Sequence, residues 1–320
     1  MKLALAGQQR AKTFIQSNAR PLEQALYRFH LEQVGPDGVL SALTAYQNPD
    51  GGFGHGLEPD LTLPDSSAIC TTRAIQTLAD VGTPADHPLV AGGIRYLLAT
   101  YDRTKRVWEI VPRTANNFPH APWWQYDDVG QAARWGDYLV NPRAEIVGCL
   151  HQYATLVPAS VLREVTDSLL DHLASHGDPK DRHEIACYLS LVETPSLPQD
   201  LRRRVVSAIE SAVRRAVERD PAKWPKYCFK PAGYMAAVRS PASPFAQMLA
   251  REVETCLDYE IGRQQPDGSW HPTWSWGDDY PEAWQEAKLA WQGILTVQML
   301  KMLGAFGRLD SGPLANEAIP

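Results

Sequence analysis

The sequence predicts an all-α protein. Apolar residues recur at helical spacing through most of the chain, and no run has the alternation of a convincing strand. Amphipathic segments also alternate with shorter, more apolar ones, a pattern typical of αα-hairpins whose apolar helices form an inner ring. We therefore expect one α/α barrel (toroid) of about five to six helical hairpins over residues 1–308, followed by a tail at 309–320. An open α-solenoid is the alternative, but no fixed repeat period is present.

The first half of the chain predicts helices separated by glycine and proline breaks. Leu22, Leu26 and Phe29 share one helical face. Asp65-Ser66-Ser67 is a helix N-cap signal, and Gly82 ends the apolar helix that follows it. The predicted spans are 22–33, 39–46, 67–81, 88–101 and 142–157.

The second half continues the alternation of amphipathic and apolar segments. The predicted spans are 159–175, 181–193, 199–219, 232–238, 244–263 and 282–306. Between the two halves, residues 103–141 have no convincing period. A loop this long inside a compact domain is often functional, so we expect a lid or a proline-stiffened plug there.

Composition excludes several classes of protein. A net charge of −6 leaves no basic face for a nucleic-acid partner. The five cysteines are scattered and never form a CxxC pair, which favours reduced thiols in a cytoplasmic protein. The opening residues do not continue into an apolar signal core, and no apolar run approaches the ~20 residues of a membrane span.

The sequence predicts no metal and no cofactor. His183 and Cys187 lie four residues apart on a predicted helix and share a face. Two ligands do not make a zinc site, which needs four donors or three and a water. The oligomeric state is left open.

A glycine-rich turn that enters a helix occurs twice. Its copies are Gln47–Phe53 (QNPDGGF) and Gln264–Trp270 (QQPDGSW). In each, the glutamine is placed to cap a helix end, aspartate and glycine make the turn, and the aromatic ring packs against the neighbouring repeat. The repetition indicates a structural clasp.

This turn resembles the QW motif of the squalene–hopene cyclase and prenyltransferase superfamily. The helix start Asp65-Ser66-Ser67-Ala68 is similar to the start of an inner helix in the cyclases. The resemblance implies an α/α toroid that binds or acts on an apolar isoprenoid substrate in an aromatic-lined cavity, by an acid-initiated reaction if it is catalytic. The acids here, Glu58, Asp60 and Asp65, are not spaced as the Asp-x-Asp-Asp motif of class II cyclases.

The catalytic candidates are Asp65, Asp60, Glu58 and His120. Asp65 lies at the mouth of an apolar helix, where a partly dry setting favours a protonated acid. Glu58 and Asp60 precede it in the same loop, and a histidine can shuttle protons near neutral pH. The alternative is that Asp65 only caps its helix and that His120 is a structural loop residue.

The candidates for substrate binding are aromatic rings and polar groups in loops or at the starts of inner helices. Aromatic faces stabilise cationic intermediates, and first-turn acids would join Asp65 if the helix ends meet at one mouth. The alternative is packed loops with ordinary capping acids. The set comprises His55, Phe53, Trp123, Trp124, Glu145, Glu184, Trp276 and Trp284.

Three functions remain open from the sequence. The first is the isoprenoid-binding or terpene-cyclase-like protein that the resemblance implies. The second is a carbohydrate-active α/α barrel, a hydrolase or lyase, in which Asp60, Asp65 or Glu145 works with His120. The third is a binding protein with no catalysis. Fold alone does not choose among them.

Overall fold

The structure is a computed structural model that describes residues 1–129, 139–177, 179 and 181–311. Its described part contains eleven α-helices and a pair of three-residue strands. The predicted all-α class is confirmed, while the closed toroid stays a prediction. The part of the tail after residue 311 lies outside the described residues, and so does Trp135.

The elements have the following bounds. They are α1 Leu5–Asn18, α2 Pro21–Glu32, α3 Asp37–Thr44, α4 Ala68–Asp80, α5 Pro88–Ala99, α6 Val140–Gln152, α7 Ala159–His176, α8 Arg182–Glu193, α9 Gln199–Ala216, β1 Lys230–Ala232, β2 Ala236–Val238, α10 Ala250–Gly262 and α11 Pro281–Ala305. Short 3₁₀ turns lie at Arg113–Asn117, Pro122–Trp124, Ala154–Leu156 and Pro221–Lys223.

The chain divides into two compact units. The terminal unit contains residues 1–34, 218–274 and 288–320, and the central unit contains residues 35–217 and 275–287. The prediction of one domain over residues 1–308 stays a prediction.

The central unit has two rows of helices. Helices α4, α6 and α8 pack side by side, and α5, α7 and α9 pack against them. The first row is the more apolar: almost every residue of α6 is buried, whereas α9 buries only one face. This arrangement matches the alternation of apolar and amphipathic segments in the sequence.

Local signals explain where α4 begins and ends. Ser67 is its N-cap, because its side-chain oxygen accepts a hydrogen bond from the Cys70 backbone N–H at 3.2 Å. Gly82 follows the helix with a φ of +72°. Of the predicted N-cap signal Asp65-Ser66-Ser67, Ser67 is therefore the residue that caps the helix. Asp65 lies two residues before the cap.

The terminal unit joins the two ends of the described chain. Leu3 pairs with Leu309 as a single β-bridge. The N-terminal amino group bonds the Asp258 carboxylate of α10 at 2.7 Å, and the same carboxylate accepts from Arg308 at 2.9 Å. These contacts hold α1 and the end of α11 to α10.

The two glycine-rich turns have the same hydrogen bonds. The Gln47 amide donates to Gly51 O at 3.0 Å and to Leu89 O of α5 at 3.2 Å. Its counterpart Gln264 donates to Gly268 O at 3.0 Å and to Gly7 O of α1 at 2.9 Å. Each turn thus closes on itself and docks on a helix. A second pair of bonds also matches. The Phe53 N–H donates to Thr71 Oγ1 at 3.0 Å, and the Trp270 N–H donates to Thr296 Oγ1 at 3.1 Å.

The docking register is also the same. The central glycines have φ values of +89° at Gly51 and +93° at Gly268. Gly51 lies against Gly92, three residues after the carbonyl that Gln47 bonds, and Gly268 lies against Arg10, three residues after Gly7. The second copy therefore clasps α1 as the first clasps α5.

Two helix predictions are wrong, and one helix was not predicted. Residues 232–238 are the end of β1, a turn and β2, because Gly233 adopts a φ of +132° that a helix does not allow. The helix predicted over 244–263 starts at Ala250; before it, Ser243 accepts from the backbone N–H groups of Arg239 and Ser240 and stabilises a turn. Helix α1 was missed because its buried face includes Gly7 and Ala11.

Gly51→Ala is expected to lower stability more than Gly82→Ala. Both glycines have positive φ, which costs a substituted alanine about 1–2 kcal/mol. At Gly82 an added Cβ meets nothing within 4 Å, whereas at Gly51 it would lie 2.6 Å from the Gly92 carbonyl oxygen. Thermal unfolding midpoints measure the difference. Equal shifts in the two variants would contradict the docking geometry.

The free energy of unfolding is expected to fall as pH decreases from 6.5 to 4. Burial, then the nearby His176 and Arg143 charges, lower the pKa of His172 to about 4. In this interval the unfolded chain binds a proton that the folded chain refuses, so acid favours unfolding. His172 is half-exposed, so the effect is only about 1 kcal/mol. Denaturation of wild type and His172→Gln at pH 7 and pH 4.5 tests it, and an undiminished pH dependence in the variant would contradict it.

Candidate functional site

The acidic loop of the central unit is joined to the long irregular loop. Leu61 and His120 form an antiparallel bridge. On either side of it, Ala121 N–H donates to Asp60 O at 2.8 Å and Thr62 N–H donates to Pro119 O at 3.2 Å. These contacts hold the chain segments that carry Asp60 and His120 side by side.

Asp60 is the buried acid of this loop. It is 3% exposed, and its Oδ1 accepts a hydrogen bond from the Trp276 indole N–H at 2.8 Å. The Trp284 ring lies 5.7 Å from the Trp276 ring, centre to centre. The carboxylate therefore stands beside a pair of buried indoles.

His120 is oriented by the backbone. Its Nδ1 lies 2.7 Å from Phe118 O, and because a carbonyl oxygen only accepts, Nδ1 carries the hydrogen. The other ring nitrogen, Nε2, lies 2.9 Å from the side-chain oxygen Oε1 of Gln125. The Tyr280 ring lies 5.7 Å away. We name Asp60, His120, Trp276, Tyr280 and Trp284 the Asp60 cluster.

The other two predicted acids lie in different surroundings. Glu58 is buried, and its carboxylate lies 2.6 Å from the Arg73 guanidinium, an ion pair that holds it to α4. Asp65 is exposed and accepts a hydrogen bond from the Thr114 hydroxyl at 2.8 Å. Neither the dry mouth expected for Asp65 nor its role as helix cap is seen. Of these three acids, Asp60 has the buried, aromatic setting.

His55 and Phe53 belong to the clasp. His55 is exposed, has a φ of +55° and bonds Asn48 Oδ1 through Nε2 at 2.9 Å. Phe53 is fully buried beside Ile75 of α4 and Gly93 of α5. Its ring fills the gap between the two helices, as the sequence predicts for the aromatic residue of the turn.

The remaining predicted binding residues are spread over the central unit. Trp123 is half-buried and Trp124 is buried, both in a 3₁₀ turn after His120. Glu145 of α6 accepts from the Gln76 amide of α4 at 3.2 Å, which ties two neighbouring helices together. Glu184 lies in the first turn of α8. The meeting of Glu145 and Glu184 with Asp65 at one mouth stays a prediction.

A second candidate site, an aromatic cleft, lies within the terminal unit. Trp274 contacts Tyr227, Tyr234 and Trp291, with ring centres 5.6, 5.9 and 5.0 Å away. The cleft has a cavity volume of about 40 Å³, which is room for about three waters. Its lining also includes Lys230, Glu260, Arg263 and His271.

The floor of the aromatic cleft is charged. Lys230 Nζ and the Glu260 carboxylate form a buried ion pair. The Arg263 guanidinium lies 3.6 Å from the same carboxylate and donates to His271 O at 2.8 Å. Sequence reasoning missed these residues. The clustering of tryptophans signals the walls, but Lys230 and Glu260 are thirty residues apart and share no local pattern.

Metal-ligating side chains and cysteine thiols are the other groups that could carry chemistry. Within the described ranges, no group of three His, Cys, Asp or Glu side chains is arranged to hold a metal ion. The five cysteines form no disulfide, and burial raises the pKa of the Cys70 thiol to about 11. Such a thiol stays protonated and unreactive at neutral pH.

Comparisons with known proteins assign no family. No family model matches the sequence, and no curated protein matches it. The likeness to the cyclase and prenyltransferase superfamily therefore depends on the turn motif and the helix that follows it. None of the described helices is long and apolar enough to cross a membrane. A cytoplasmic location stays a prediction.

Trp276→Phe is expected to destabilise the protein by about 1–3 kcal/mol more than Trp284→Phe. Both changes remove part of a buried indole, but only the first removes the N–H donor of the Asp60 carboxylate. Urea unfolding followed by circular dichroism measures both variants. Equal losses would mean that the bond to Asp60 contributes nothing.

Proposed function

We propose that this chain binds and acts on an apolar, isoprenoid-like small molecule, with Asp60 as the acid. The observation that carries the proposal is the buried Asp60 carboxyl group beside the indole rings of Trp276 and Trp284. An acid-initiated reaction needs a proton donor that is shielded from water and aromatic faces that stabilise the cation it creates.

The acid role moves from Asp65 to Asp60 for a physical reason. Asp65 is exposed, so water competes for any proton it delivers to a substrate. Asp60 is buried and receives an indole hydrogen bond at one oxygen. His120 lies on the chain segment next to Asp60, and we assign it the proton transfer that quenches the cation.

The carbohydrate and binding-protein hypotheses remain the competing ones. Sugar chemistry would use the same acid and histidine with aromatic stacking. A toroid whose centre is filled by side chains would support a binding protein without catalysis. Ligand identity separates these three proposals.

Asp60→Asn is expected to abolish turnover while Asp65→Asn leaves it close to wild type. The asparagine oxygen can still accept the Trp276 hydrogen bond, whereas the transferable proton is lost. A lost general acid costs about 10²-fold or more. Squalene, geranylgeranyl diphosphate and an oligosaccharide are screened by thermal shift, and products of each hit are analysed by mass spectrometry.

The outcomes discriminate among the proposals. Loss of product in Asp65→Asn alone would return the acid role to Asp65. Stabilisation by the oligosaccharide alone would favour carbohydrate chemistry. If no isoprenoid stabilises or is converted by the wild type, the proposed function is wrong.

A further inference from the structure

We propose that the aromatic cleft of the terminal unit binds a small organic monocarboxylate with a flat apolar body. The carboxylate enters the charged floor, and the apolar body lies against the ring walls. The site is built from residues 227–274 and 288–299 of the terminal unit and uses no residue of the Asp60 cluster, so it is separate from the proposed acid chemistry.

The charge of the floor favours one negative charge. Lys230 and Arg263 carry two positive charges, and Glu260 neutralises one of them. Lys230 is only 9% exposed, so its ammonium group is poorly screened by solvent. A monoanion completes the neutralisation, whereas a cation would be repelled and a dianion would leave an uncompensated charge.

His271 adds a polar contact for the ligand. Burial lowers the pKa of His271, so its ring is neutral at pH 7. Its Nε2 is buried and has no hydrogen-bond partner among the described residues. Buried polar atoms are almost always paired in native proteins. A ligand atom in the cleft would supply the missing partner.

The size and walls of the cleft set the shape of the ligand. Room for about three waters accommodates an acid group but not a long chain. Tyr227, Tyr234 and Trp274 line the cleft and are half-buried. Aromatic rings gain most from flat partners that stack or meet them edge to face. An aryl carboxylate satisfies both conditions.

The test compares four probes of one size. Phenylacetate, phenyl phosphate, 2-phenylethanol and 2-phenylethylammonium are titrated into the full chain, with binding measured by equilibrium dialysis and by tryptophan fluorescence. Phenylacetate is expected to bind roughly tenfold or more tightly than the alcohol, since a charge-assisted bond replaces a neutral one. The ammonium compound is expected not to bind.

Three variants test whether phenylacetate binds at the charged floor. Lys230→Met removes the floor charge and is expected to weaken phenylacetate binding roughly tenfold or more. Glu260→Gln raises the net charge of the floor by one and is expected to tighten phenylacetate binding. Lys12→Met is the matched control, because Lys12 is a more exposed lysine of the same unit that also pairs with a glutamate, Glu32, at 2.7 Å. It is expected to bind like wild type.

Each contrary result has a defined meaning. Equal binding of the acid and the alcohol, or no binding of phenylacetate, overturns the proposal. Tighter binding of phenyl phosphate than of phenylacetate overturns the monocarboxylate assignment. If Lys230→Met does not fold, Glu260→Gln still decides, because weaker or unchanged binding in that variant overturns the role of the floor charge.

Discussion

The close approach of a glycine turn to a helix backbone is the contact on which the structure depends. Gly51 lies against Gly92 of α5, and the Gln47 amide reaches the Leu89 carbonyl of that helix only because the turn is this near. A side chain at Gly51 would separate them. Since the turn at Gly268 docks on α1 in the same register, backbone contact rather than side-chain packing defines this repeat.

The first clasp also presents the acidic loop. Asn48 donates to Pro64 O at 2.9 Å and to the Ser66 hydroxyl at 3.0 Å, so the loop leaves and returns to the same turn. Asp60 lies midway, where the ladder with His120 holds it. The loop is therefore anchored at both ends and at its centre. A carboxyl group held in this way keeps one geometry without help from a ligand, as preorganised sites require.

Sequence reasoning succeeded where the signal is local. Caps, glycine breaks and apolar spacing predicted the helices of the central unit to within a few residues, and the turn motif predicted how Phe53 packs. It failed where the decisive contact is distant. The bond from the Trp276 indole to Asp60 joins residues 216 apart, and the pairing of Lys230 with Glu260 depends on how β1 packs on α10. No local pattern encodes either contact.

The two candidate sites differ in the groups that face their buried carboxylates. Glu260 faces the Lys230 ammonium and the Arg263 guanidinium. Asp60 receives an indole N–H, a neutral donor that carries no full charge. The proposed acid chemistry is assigned to Asp60 for its burial and its aromatic setting, whereas the cations beside Glu260 are suited to binding an anion.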